Sequence, residues 1–258
     1  MRSLVMMSVA LFAAAAAFAA PARAAQPGTK AGKTSVAGIR TVFLPSPANP
    51  LVALRLVFQV GAVDDPAGKE GLAHLTAAML GKGGSKGRTY AELLDALYPL
   101  AAQIHVYGDK ETIVFEGTVH HDNLARFADL LAEQVLTPRF ADDDFARNRQ
   151  DALDFITKTL RGNADEDLGK QAMATVLFRG HPYGYPSQGT VAGLNGLTLD
   201  DVKKLYASTF ARDRLIVGVA GGYPADFPEA FAKRFTPCPP RLRRCASCRP
   251  CRCKKRIR

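Results

Sequence analysis

Ten consecutive residues at 51–60, LVALRLVFQV, are almost all strand formers. They stand between Pro50 and a breaking segment at 61–68 that contains Asp-Asp-Pro and Gly. Such a run, bounded by turn residues, predicts a strand. Residues 38–44 and 215–220 read as further strands, and 101–107 and 112–119 as a pair joined across 108–111. Helices are expected at 72–80, ended by Gly81 and Gly83-Gly84, and from Thr89, where Thr89-x-x-Glu92 has the form of a capping box. Asp122 reads as the cap of another helix, and 142–160, 165–178 and 198–210 as three more. Strands in hairpins and helices in runs imply an α+β domain. The sheet should be mixed and mostly antiparallel, with helices packed mainly on one face.

The two ends of the chain differ from this body. Arg2, an apolar stretch at 4–20 and Ala22-Arg23-Ala24 have the form of a secretory signal peptide at 1–24, which implies export to a periplasm. Residues 25–35 read as a leader without fixed structure. Residues 237–258 hold seven Arg, two Lys, all five Cys and no acid. Without them, 25 of the 34 basic residues remain against 24 acidic ones, so the chain before the tail, which holds the body at 36–236, is nearly neutral. That excludes a nucleic-acid-binding face as its main business. The tail should be disordered. Its text breaks so abruptly from the body that a shifted reading frame or a truncation is one origin; a genuine zinc- or anion-binding module, with Cys245, Cys248, Cys251 and Cys253 as thiolates, is the other.

The most informative segment runs from Gly61 through Gly71-Leu-Ala-His74 to Gly83. It resembles the opening of the pitrilysin/insulinase-type zinc metallopeptidases, in which a strand and a Gly/Asp/Pro turn lead into G-x-x-H-x-x-E-H on a helix. His181-Pro-Tyr-Gly184, Gly189-Thr190 and the 215–222 strand resemble later landmarks of the same N-terminal domain. The resemblance implies that fold, and a zinc site in which two His at i and i+4 share a helix face with a Glu general base at i+3.

Residue by residue, the implied chemistry is incomplete. His74 matches the first ligand. The base position is Ala77, the second ligand position is Ala78, and the third falls at Phe155. A methyl or phenyl group cannot bind zinc, and Ala77 cannot take a proton. The expectation is therefore no zinc cofactor and a pseudoenzyme, with Phe155 as core and His74 as a half-buried histidine on a backbone partner. An alternative keeps the chain an enzyme through non-standard ligands, with His105 and His181 approaching His74.

Binding can outlast the metal. The resemblance implies that peptides add as a strand along the edge formed here by Ala101, Ala102, Gln103, Ile104, His105, Val106 and Tyr107. It also implies that inactive relatives pair with an active homologous subunit, although the text ends here after one domain. His120-His121 could serve a metal as a pair, but with no third ligand spaced to help it reads as a solvated turn. The acid runs at 142–144 and 165–167 sit where helices begin and negative charge suits the dipole.

Overall fold

A computed structural model describes residues 31–162 and 164–239. The signal-peptide reading of 1–24 and nearly all of the Cys/Arg tail lie outside these residues. Six strands, β1 (Gly32–Val36), β2 (Ile39–Pro45), β3 (Leu51–Phe58), β4 (His105–Gly108), β5 (Ile113–His120) and β6 (Leu215–Gly221), form one sheet in the order β1-β2-β6-β3-β5-β4. Only the β2–β6 pairing is parallel. The sheet is mixed and mostly antiparallel, as expected. Among the described residues no helix is long and apolar enough to cross a membrane.

The helices are α1 (Leu72–Lys82), α2 (Tyr90–Leu97), α3 (Leu124–Leu136), α4 (Asp142–Asp154), α5 (Asp165–Leu177), α6 (Val191–Asn195), α7 (Leu199–Thr209) and α8 (Phe227–Lys233). In β3 the residues Val52, Leu54, Leu56 and Phe58 are buried while Leu51, Ala53 and Arg55 are exposed. This alternation places one face of the sheet against helices and leaves the other open. The core joins that inner face to Ala77 and Leu80 of α1, to α2, α3 and α8, and to Phe210. The opposite side of α1, with Leu72, Leu75 and Met79, packs on α4, α6 and α7 in a second cluster. Helix α1 therefore runs between the sheet and an outer helical layer.

Several expectations need correction. Residues 32–35 of the presumed leader belong to a strand that runs on to Val36, because backbone pairing with β2 needs no apolar pattern at a sheet edge. The edge strand starts only at His105. Ala101 adopts a left-handed φ of 49° after a 3-10 turn, and Ala102 is buried, so 101–104 is the approach to the strand and not part of it. Asp122 is not a side-chain cap; its own amide donates to His120 Nδ1. The 142–160 helix is α-helical to Asp154 and then π-helical over Phe155–Leu160. Cys238, assigned to the tail, is 5% exposed and belongs to the core.

Candidate functional site

Helix α1 is fixed at its start by backbone. Gly71 precedes it at a φ of 104°, a conformation natural to glycine. The Asp65 carboxylate accepts from the Gly71 and Ala73 amides, each at 2.8 Å, and so satisfies two of the helix's free donors. Burial outweighs these bonds and raises the Asp65 carboxyl to about 6. Gly189 lies against Gly71: a Cβ on Gly189 would meet the Glu70 carbonyl oxygen at 2.3 Å. Thr190 completes the contact, its amide reaching the Glu70 carbonyl at 3.4 Å. At its other end α1 is held by Gln134 of α3, which donates to the carbonyls of Leu80 and Gly81 at 2.8 and 3.0 Å.

His74, Ala77 and Ala78 follow on this helix. Ala77 is 1% exposed and sits on the inner face of β4, where a Cβ on Gly108 would approach both the Ala77 methyl and the His74 backbone. His74 is half-buried. Burial, then the charge of Lys82, lowers its imidazole to about 4, so it is neutral near pH 7. The expected backbone partner is not found: among the described residues the buried Nδ1 has no hydrogen-bond partner. Phe155 opens the π-helical stretch and packs, half-buried, on the cluster containing Leu72, Leu75 and Met79.

This donor set does not fit a catalytic zinc. One orphaned imidazole nitrogen is available where such sites use three protein ligands. The non-standard set does not assemble either. Val106 and Gly108 of β4 face α1, so alternation turns His105 to the opposite face of the sheet. His181 accepts from the Tyr183 amide and lies edge-on to the Tyr183 ring and near Phe178 in a separate loop. Among the described residues, the only group of three His, Cys or carboxylate donors with metal-like closeness is His120, His121 and Asp122.

Next to β4 the open face of the sheet carries a polar cluster not visible in the sequence. Arg55 pairs with Glu116 at 3.0 Å and donates to the Tyr107 hydroxyl at 2.5 Å; Tyr107 reaches Glu116 at 3.4 Å. Register alone brings these strands together, since Arg55 and His105 both oppose Glu116. Arg55, Glu116, Gln103, His105, Thr118 and Tyr98 border a groove of about 1100 Å³. Tyr98 is 87% exposed above it.

Comparison with known proteins agrees with this architecture. The family model described as insulinase (peptidase family M16) matches residues 40–190. An uncharacterised zinc protease of Mycobacterium leprae is 28% identical over 193 residues, which is 75% of this chain and 43% of that protein. One from Rickettsia bellii is 25% identical over 66% of this chain and 40% of its own length. The chain therefore spans less than half the length of these relatives. Among solved structures, a peptidase M16 inactive domain from Pseudomonas fluorescens superposes with a TM-score of 0.76 at 24% identity, over 83% of this chain and 53% of that one. Pitrilysin superposes with a TM-score of 0.70 at 19% identity, over 84% of this chain and 24% of its own. With the family model matching more than half of its length, at residues 40–190, the chain belongs to the insulinase family of peptidases, M16.

Proposed function

We propose that this protein is an exported, non-catalytic member of the family that binds peptide segments, an active homologous subunit, or both. The observation that carries this reading is the isolation of His74: its helix keeps the family's placement while Ala77, Ala78 and Phe155 supply no donor and no base. Loss of the donor set removes hydrolysis, because neither a metal nor a proton acceptor can be held where a scissile bond would lie. The description of the Pseudomonas fluorescens neighbour as an inactive domain is in keeping with such a role.

Binding rests on β4. It ends the sheet order and, among the described residues, pairs with β5 alone, which leaves its outer edge for an added strand. Its length of 4 residues permits few such bonds, which keeps the binding weak unless side chains enter the adjoining groove. Tyr98 and the Arg55–Glu116 pair offer an aromatic surface and a charge pair for them.

The test is direct. The purified protein should not hydrolyse unstructured peptides, and should bind them in a fluorescence-anisotropy titration. Chelator-sensitive cleavage that disappears in His74→Asn would overturn the reading.

A further inference from the structure

We propose that His120, His121 and Asp122 form a surface site for a divalent cation of the zinc class. The three residues end β5 and enter the 3-10 turn His121–Asn123 that leads into α3. The backbone there is held on both sides. His120 pairs with Leu51 of β3, and the His121 amide donates to the Pro50 carbonyl at 2.9 Å. The imidazole rings lie 4.3 Å apart at 38°, and one nitrogen of each faces the Asp122 carboxylate.

The donor spacing is that of a coordination sphere. His120 Nδ1 stands 3.2 Å from Asp122 Oδ2, and His121 Nε2 stands 3.0 Å from Asp122 Oδ1. All three ligand atoms lie within 4.8 Å of one another. Ligands around a tetrahedral zinc with bonds near 2.0–2.1 Å are separated by about 3.3 Å.

Hydrogen bonding alone leaves a conflict that a cation resolves. The Asp122 amide donates to His120 Nδ1 at 3.4 Å, which needs a lone pair on that nitrogen. The Asp122 carboxylate faces the same nitrogen and needs a proton on it. A metal ion at Nδ1 would take that single lone pair in place of the long amide contact and accept a carboxylate lone pair beside it. Two imidazoles and one carboxylate select zinc, nickel or copper over magnesium or calcium, which prefer all-oxygen shells. The side chains are 42%, 45% and 72% exposed, so water fills the remaining positions and no dry cavity exists for chemistry. The site would clamp the end of β5 to the start of α3 and stabilise the fold by mass action. It shares no residue with α1, so its fate is independent of the reading of His74.

Zinc binding by the full chain, its accessible thiols alkylated with iodoacetamide, tests this. Equilibrium dialysis should give one zinc equivalent, and cobalt should produce a visible d–d band. His120→Asn, His121→Asn and Asp122→Asn should each weaken zinc by at least about tenfold, as loss of a ligand must exceed loss of an outer partner. His105→Asn should leave it unchanged. These are exposed positions, and circular dichroism verifies that each variant folds. No zinc uptake by the wild type, or equal uptake by the His120→Asn/His121→Asn double variant, would overturn the site. Uptake lost only in His74→Asn would overturn it and contradict the proposed function as well.

Discussion

A Cβ placed on Gly108 of β4 would stop 3.3 Å from the methyl of Ala77 on α1. Strand and helix meet there at the distance that two small residues permit, which leaves a longer side chain at 77 little room toward β4.

Restoring the acid at that point should therefore destabilise the fold. Ala77→Glu puts a carboxylate at a position 1% exposed, without a metal or cation to receive it. Burial of an unpaired polar group predicts a loss of about 2–4 kcal/mol, read as a lower urea midpoint. Stability equal to wild type would show the contact with Gly108 to be open.

Two groups on or beside α1 oppose each other in acid. The His74 pKa is lowered in the fold to about 4, so the unfolded chain binds more protons between about 6.5 and 4. Stability from His74 is full above about 6.5 and is lost as pH falls through that window. The Asp65 pKa is raised to about 6, so the folded chain binds more protons between about 4 and 6, and stability from Asp65 falls as pH rises. The two slopes partly cancel in the wild type. His74→Gln should leave a stability curve that declines from pH 4 to 6, and Asp65→Asn one that rises over the same range. Denaturant titrations at stepped pH check both, and parallel curves for all three proteins would refute the assignment.

Cys238 should behave as core and not as tail. It is 5% exposed, and burial raises its thiol to about 11. Intact-protein mass spectrometry after brief iodoacetamide treatment should show Cys238 unmodified in the native state and alkylated in urea. Cys238→Ser should lower stability by about 1–2 kcal/mol through a buried hydroxyl. Equal labelling before and after unfolding would place the residue in solvent.

The junction of Gly189 with the start of α1 gives a sharper mutational effect. Gly189 has a φ of 100°, and a methyl there would collide with backbone atoms of Glu70 and Gly71. Gly189→Ala should cost about 2–4 kcal/mol, more than an ordinary surface change, because neither partner can rotate away. A loss below about 0.5 kcal/mol, measured by thermal unfolding, would count against the contact.

Legibility in the sequence followed locality. The capping boxes Thr89–Glu92 and Thr198–Asp201 form, because the bonded groups lie three residues apart. The Gly189-Thr190 landmark also has its explanation in the close contact with Gly71. By contrast β1 is Gly-Lys-Thr-Ser-Val and carries no apolar alternation; only its partner β2 makes it a strand. Helix α8 is short, with Pro228 in its first turn, and takes its order from Phe231 and Ala232 in the core. That Ala77, Ala78 and Phe155 carry no donor atom is a matter of residue identity and needs no structure. The Arg55–Glu116–Tyr107 cluster could not be read in that way, since positions 52 residues apart meet only through strand register. Asp122 as a third donor beside two imidazoles likewise depends on how the 3-10 turn folds back.

The π-helical stretch Phe155–Leu160 bears on any attempt to rebuild the hydrolytic centre. A wide turn holds an extra residue, so side chains beyond it are rotated from where an uninterrupted α-helix would aim them. Phe155 is the residue at which that offset begins. Exchanging its ring for an acid would thus change the chemistry of the side chain but not its bearing. Ile156 and Leu160, buried within the widened stretch, owe their place in the core to that offset, so a substitution that tightened the turn would swing both out of register with their neighbours.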